Sequence, residues 1–280
     1  MAQSKAVLIT GCSTGIGRAT AERLASKGHT VYATARRPES IADLEGKGCK
    51  TLALDVTDEA SMQAAVDHVV AAEGAVGALV NNAGYSQSGA LETLDMADVH
   101  RQFETNVFGL LRMCQLCLPG MRDQGWGRVV NISSMGANMV FPGGGIYHAT
   151  KYAVDAMSDA LRFEVQGFGV DVVIVQPGLI VTEFGETAAA ATPGEDGGPY
   201  AKFNATVAKT TQEAYTGPMA KLGAGPEAVA KVVERAITAR RPRIRYRVTP
   251  SARIMIGLNK AVTARTWDLM MRGQFPQPGR

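Results

Sequence analysis

Short apolar runs alternate along the chain with longer stretches in which apolar residues recur every three or four positions. The runs fall at 6–9, 30–33, 51–54, 78–80, 128–132 and 170–175. Between them lie 17–27, 59–72, 98–115 and 149–166, whose spacing is helical. Strand-like runs alternating with helical ones predict βαβ units and a mostly parallel sheet. Crossovers in such sheets are right-handed, which puts helices on both faces. The expected fold is therefore α/β: a Rossmann-like, doubly wound parallel sheet, one domain over 1–280. Ligands of such sheets bind outside the carboxyl ends of the strands.

After Pro177 the rhythm breaks. Residues 185–225 are rich in Ala, Thr, Gly and Pro and carry Tyr200, Phe203, Tyr215 and Met219. This stretch is expected to be an irregular substrate lid. The rest, 226–280, resumes a pattern. Pro226 suits a helix start and 227–239 has helical spacing. The run 244–248 alternates Arg with Ile, Tyr and Val like an edge strand, and 251–271 reads as one or two amphipathic helices.

Composition narrows the function classes. Hydrophobic residues make up 46% and charged residues 20%, an ordinary soluble mix. No apolar stretch approaches the roughly 18 residues of a membrane span. The first apolar run is too short for a signal-peptide core, so a cytoplasmic location is expected. A net charge of +3 gives no reason to expect a nucleic-acid partner. The positive charge is uneven, with Arg240, Arg241, Arg243, Arg245 and Arg247 clustered. They read as a solvated edge that discourages sheet-to-sheet pairing. Contact with anionic lipid or nucleic acid is the alternative, and peripheral membrane association stays open. Met255, Ile256, Leu258, Trp267, Leu269 and Met270 read as helical packing, with a subunit contact, a pocket cover or a membrane surface as alternatives. Cys114 and Cys117 form a lone C-x-x-C inside an apolar helical stretch. Packing is the expectation there and redox or metal chemistry the alternative; no metal site is expected.

The first strand leads into Thr10-Gly11-Cys12-Ser13-Thr14-Gly15-Ile16-Gly17, and a helix follows. Glycines allow a tight turn and close backbone approach to a pyrophosphate. The helix N-terminus offers free N–H groups and partial positive charge. The spacing, G-x-x-x-G-x-G, departs from the common G-x-G-x-x-G. Gly11, Ser13, Thr14, Gly15, Ile16 and Gly17 are the expected coenzyme contacts. The second strand ends without the acid that bonds the ribose of NAD. Arg36 and Arg37 follow it and would suit a 2′-phosphate, favouring NADP(H), with NAD(H) the alternative. Solvated loop charges are the alternative reading of both.

Tyr147 and Lys151 are four residues apart at the start of a helical stretch, a spacing that shares a helix face. A nearby ammonium would lower the phenol pKa from its usual ~10. Such a tyrosine can exchange a proton with a substrate oxygen while carbon exchanges hydride with a nicotinamide.

Taken together, these residues resemble the short-chain dehydrogenase/reductase family. The resemblance covers about 5–185. It rests on Thr10 to Gly17, Asp55-Val56, Asn81-Asn82-Ala83-Gly84, Asn106, Ser133-Ser134, Tyr147 with Lys151, and Pro177-Gly178 leading to Thr182. It implies that Asp55 and Val56 contact adenine and that Asn82, Ala83 and Gly84 floor the adenosine ribose, with Asn81 bracing the strands. It implies that Ser134 bonds the substrate oxygen, that Lys151 binds the nicotinamide ribose and tunes Tyr147, and that Asn106 holds a relay water. Pro177, Gly178, Ile180 and Thr182 are implied to set the nicotinamide face. It also implies a dimer or tetramer through helices 98–115 and 149–166. The family's basic residue within the glycine loop is absent here, so the NADP(H) preference rests on Arg36 and Arg37.

The expected substrate walls, Met135, Met139, Val140, Phe141, Leu179 and Phe184, are apolar, and Tyr85 and Gln87 follow the fourth strand. They suit a small lipophilic carbonyl or alcohol, and the pattern resembles the branch acting on steroids, retinoids or acyl ketones. The same side chains could simply pack lid and core. The rival functions are a non-catalytic NADP(H)-binding redox sensor or scaffold, and a lipid-surface or nucleic-acid binder using the basic C-terminus.

Overall fold

The computed structural model describes residues 3–193 and 198–279. The expected lid at 185–225 and the domain drawn over 1–280 thus include positions outside the described residues: 194–197 in the first, and also Met1, Ala2 and Arg280 in the second.

Seven strands form one parallel sheet: β1 (Val7–Ile9), β2 (Val31–Ala35), β3 (Cys49–Ala53), β4 (Ala78–Asn81), β5 (Gly127–Ile132), β6 (Val170–Gln176) and β7 (Arg245–Arg247). The order is β3-β2-β1-β4-β5-β6-β7. The winding direction therefore reverses between β1 and β4, which opens a crevice at their carboxyl ends. Strand side chains alternate between two cores. Val7 and Ile9 face the layer of α1 (Gly15–Ser26) and α8 (Pro226–Thr238). Leu8 faces α2 (Glu59–Glu73), α4 (Gly109–Asp123) and α5 (Gly145–Val165). Both faces are covered, which is why the strands read as continuous apolar runs. Cys114 and Cys117 are buried in the second core, where burial pushes their thiols up, so they pack rather than react.

The region from 98 onward is helical as expected but not uniform. A helix, α3 (Met96–Phe103), passes through one π turn at Glu104–Phe108 into α4. Such turns recur at functional positions.

Two expectations need correction. The described residues of 185–225 are largely helical rather than irregular. They contain α6 (Phe184–Ala190), α7 (Ala201–Thr216) and a short 3-10 turn, Pro218–Leu222. Helix α7 buries only Asn204 and Val207, and Asn204 Oδ1 accepts the Ala90 N–H at 2.9 Å. A single buried apolar side chain in 16 residues leaves no periodic stripe to read. Nor is the arginine cluster uniformly solvated. Arg245 is half-buried and ion-paired to Asp155 and Asp159 of α5.

The C-terminal pattern gives two helices, α9 (Pro250–Ala261) and α10 (Ala264–Arg272). They join a third core of Met139, Val207, Ile256, Trp267, Met271 and Phe275, and Trp267 Nε1 donates to the Val140 carbonyl at 3.0 Å. No helix among the described residues is long and apolar enough to cross a membrane.

Candidate active site

The carboxyl ends of β1 and β4 are stapled together by one side chain. Thr10 Oγ1 accepts the N–H groups of Asn82 and Ala83, both at 3.0 Å. Asn82 Nδ2 returns to the carbonyls of Thr10 at 3.0 Å and Gly11 at 2.9 Å. This leaves no room for side chains. A Cβ on Gly11, whose φ is +71°, would lie 2.9 Å from Ala83 Cα. One on Gly17 would lie 2.3 Å from the Gly11 carbonyl oxygen. The result is a backbone-walled cradle at the start of α1. Thr14 occupies the N-cap without a side-chain capping bond, and no acid lies in the first turn. The first-turn N–H groups and the helix dipole are thus available to an anion, which fits a dinucleotide pyrophosphate. Gly15 brings this loop against the segment after β6: a Cβ there would lie 3.3 Å from Thr182 Cγ2. Ser13 and Thr14 are exposed, and Ile16 packs on the first core.

Around the cradle, the expected contacts divide. Arg36 and Arg37 are exposed just past β2, and neither is ion-paired among the described residues. Asp55 is half-buried, its Oδ1 accepting the backbone N–H and hydroxyl of Thr57 at 2.9 and 2.8 Å. The side chains of Val56 and Ile180 belong to the two cores, so either could meet a ligand only through backbone. Pro177 is buried and its carbonyl accepts the Met135 N–H at 2.8 Å. Gly178 lies against Thr249 and Ser251. Asn81 braces β4 as expected, donating to Asn131 Oδ1 at 3.0 Å.

The end of β5 and one face of α5 build the polar centre. Tyr147, Lys151 and Asp155 follow one another at intervals of four on that face. The Ser134 hydroxyl hydrogen-bonds to Tyr147, and Lys151 Nζ donates to the Ile132 carbonyl at 2.9 Å. Ser133 Oγ donates to Asp155 Oδ1 at 2.5 Å. Three consecutive residues at the end of β5 thus fasten three turns of α5. Gly84 brings β4 into the same centre. A Cβ there would lie 3.0 Å from Asn106 Oδ1 and 3.8 Å from Lys151 Nζ.

Electrostatics depart from the simple expectation that Lys151 lowers the Tyr147 pKa. Burial pushes the phenol up to about 12, with the Ser134 hydrogen bond opposing. Burial pulls the Lys151 ammonium down to about 8, with the Asp155 carboxylate opposing. The ammonium lies 5.8 Å from the Tyr147 ring centroid and donates a hydrogen bond to the Ile132 carbonyl. Because Lys151 loses its proton near 8, it carries no charge to oppose burial where the phenol titrates. The Asn106 side chain is held at three points. Its Oδ1 accepts the Tyr85 N–H at 3.1 Å, and Nδ2 donates to the Tyr85 carbonyl at 2.9 Å and Thr150 Oγ1 at 3.1 Å. Both amide hydrogens are used, while Oδ1 keeps a second lone pair.

Of the expected substrate walls, Met135, Phe141 and Phe184 are partly open, while Met139 and Leu179 are buried. The Phe184 ring lies 5.7 Å from that of Tyr147. Two contributors, His148 and Asp155, were not anticipated, and Tyr215 was expected only as part of the lid. His148 accepts the Phe141 N–H on Nε2 at 3.2 Å and so donates from Nδ1 to the Gly136 carbonyl at 3.0 Å, fixing the 135–145 loop. Tyr215 of α7 packs its ring against Gly185. Asp155 continues the i, i+4 ladder of Tyr147 and Lys151, a signal present in the sequence. No group of three or more His, Cys, Asp or Glu able to hold a metal occurs among the described residues.

A family model described as short chain dehydrogenase matches residues 5–192. The chain belongs to the short chain dehydrogenase family. This short chain dehydrogenase is 42% identical over 183 residues to a 3-ketodihydrosphingosine reductase of Bacteroides thetaiotaomicron, covering 65% of this chain and 66% of that protein. It is 34% identical over 253 residues to an NADPH-dependent 3-dehydrocapnine reductase of Ornithobacterium rhinotracheale, covering 87% of each. Its fold matches a crystal structure of a short-chain dehydrogenase from Streptomyces avermitilis with a TM-score of 0.82 at 35% identity, over 96% of this chain and 98% of that one. The protein is accordingly an oxidoreductase acting on CH–OH groups with a nicotinamide dinucleotide.

Proposed function

We propose that this enzyme reduces a ketone on a lipophilic substrate to a secondary alcohol, preferring NADPH, with Tyr147 as general acid. The observation that carries the reading is the gathering of Ser134, Tyr147 and Lys151 beside a side-chain-free cradle at the sheet's switch point. Gly11, Ser13, Thr14, Gly15 and Gly17 would hold the pyrophosphate. Asp55, the backbone of Val56, Asn82, Ala83 and Gly84 would line the adenosine side. Pro177, Gly178, the backbone of Ile180, and Thr182 would line the nicotinamide side. Arg36 and Arg37, unpaired beyond β2, would receive a 2′-phosphate. The bound coenzyme supplies hydride. Ser134 orients the carbonyl oxygen by hydrogen bonding, and Tyr147 gives it a proton as charge develops. Lys151 binds the ribose and restores the phenol proton, with a water held by Asn106 linking Lys151 to solvent.

The substrate class follows from the walls. Met135, Phe141 and Phe203 border the third core under α9 and α10, an apolar lining with few polar anchors. The two relatives, a 3-ketodihydrosphingosine reductase and an NADPH-dependent 3-dehydrocapnine reductase, favour a keto group on an aliphatic chain. Residues 185–225 would act as the lid over it. Assembly as a dimer or tetramer in the cytoplasm belongs to the same proposal, supported by Tyr152 and the 82% exposed Phe163 on the outer side of α5.

The test is a panel of long-chain and short ketones followed through the absorbance of NADPH. Tyr147→Phe should lower kcat by ~10² or more while NADPH binding persists. Near-normal turnover by that variant, or tight NADPH binding without turnover of any ketone by the wild type, would sink the proposal, the latter in favour of a redox sensor.

A further inference from the structure

One charged group near the centre has no part in the chemistry above. Asp155 is 9% exposed, one turn beyond Lys151. Its two oxygens are held from three strands. Ser133 of the β5 end donates at 2.5 Å, and Gln176 Nε2 of β6 donates at 2.7 Å. Arg245 Nε of β7 lies 3.6 Å away and also pairs with Asp159. A buried carboxylate is costly, and an apolar residue would pack α5 against the sheet without that penalty. Two of its partners are placed in a telling way. Ser133 precedes Ser134, and Gln176 precedes Pro177 and Gly178. The carboxylate therefore fixes the strand ends that carry the substrate-facing serine and the nicotinamide-side backbone.

We propose that Asp155 is a positioning residue that keeps Lys151 charged and aligns Ser134 with Pro177, and that Arg245 on the edge strand sets how strongly it does so. This rests on the role given to Lys151 above. Burial favours the neutral amine at Lys151, and the Asp155 carboxylate is the negative charge that opposes it. The other groups facing Lys151 are Tyr147 on its own helix and the neutral Asn106 and Gly84. Asp155 in turn faces Tyr152 and Asp159 on α5 and Arg245 on β7. Removing the carboxylate should make Lys151 lose its proton at lower pH. Burial also pushes the Asp155 carboxyl up towards its neutral form, and the Arg245 guanidinium opposes this, so removing Arg245 should weaken the same negative charge and act in the same direction, by less.

The experiment compares wild type, Asp155→Asn, Asp155→Glu and Arg245→Gln by two readouts. One is NMR titration of the Lys151 ammonium in isotope-labelled, coenzyme-free enzyme. The other is the pH profile of kcat and kcat/KM for ketone reduction. Asp155→Asn should move the Lys151 titration and the alkaline fall in kcat to lower pH by about one unit, ~10-fold in activity on that limb. The KM for NADPH should change less than kcat. Arg245→Gln should shift both downward by less, and Asp155→Glu should restore most of the wild-type profile. Coincident titrations in all folded variants, or an upward shift in Asp155→Asn or Arg245→Gln, overturn the proposal. If Asp155→Asn does not fold, Arg245→Gln decides alone, and an unchanged titration refutes it. Downward NMR shifts in an enzyme that reduces no ketone would leave this inference standing and defeat the proposed activity.

Discussion

Gly17→Ala tests the cradle on which coenzyme binding depends. An added Cβ would lie 2.3 Å from the Gly11 carbonyl oxygen and 2.5 Å from Asn82 Nδ2. Neither neighbour can yield freely. The carbonyl is backbone, and the amide is pinned by bonds of 3.0 and 2.9 Å to Thr10 and Gly11. Relief requires moving α1 away from the sheet, at about 1–3 kcal/mol for overpacking, or releasing the two Asn82 bonds, at about 1 kcal/mol each. Against this, alanine gains about 1 kcal/mol over glycine in a helix. The net loss is about 0–2 kcal/mol, a fall in Tm of up to roughly 8 °C for a chain of this size. NADPH affinity should fall at least ~10-fold, because the displaced groups border the expected pyrophosphate site. Gly257→Ala in α9 is the contrast. No atom lies within 4 Å of a Cβ there, so the same change should stabilise by about 0.5–1 kcal/mol. Melting curves and NADPH titration read both variants. A Gly17→Ala protein that melts with the wild type and binds NADPH equally would refute the cradle.

Lys151→Met should abolish turnover and also flatten the dependence of stability on pH. The folded ammonium titrates near 8 against an ordinary 10.5, so between those values the unfolded chain binds more protons and stability rises with pH. The rise is worth about 3 kcal/mol, fully absent below pH 8, and the difference between wild-type and variant urea curves isolates it. Arg36→Asp should reverse coenzyme preference, lowering kcat/KM with NADPH relative to NADH by ~10² or more, since a charge-assisted pair is replaced by repulsion. Equal use of both coenzymes by the wild type would defeat that assignment.

The sheet was legible because both its faces are covered. The central strands are apolar at consecutive positions, as in Val129 and Val130 or Val172 to Val175, and bounded by turn residues. Helices α1, α2, α4 and α5 were legible because each offers several buried positions at helical spacing. Helix α7 was not, since it meets the rest through Val207 and a hydrogen-bonding Asn204. The i, i+4 spacing put Tyr147 and Lys151 on one face of α5, and the family resemblance added Ser134, whose hydroxyl hydrogen-bonds to Tyr147. Spacing could not tell which atoms of a loop residue face the ligand. Val56 and Ile180 direct their side chains into the cores, and this depends on the register of the adjoining strand. Arg245 was read from its neighbours in sequence, whereas its partners are on α5.

The largest gap lies in the charges, and it bears on direction. The i, i+4 spacing of Tyr147 and Lys151 suggested an activated phenol. In the folded chain burial acts on both groups and dominates their mutual attraction, raising one to about 12 and lowering the other to about 8. A phenol at about 12 keeps its proton at neutral pH. It is suited to protonate an oxygen that gains negative charge, which is the reductive step. Oxidation would need the phenolate, which this environment disfavours by about 3 kcal/mol relative to a free tyrosine. Unless a further positive charge is brought to the phenol, the chain by itself is arranged to donate a proton rather than to accept one. In the coenzyme-free chain the phenol thus holds the proton that the proposed reduction would transfer.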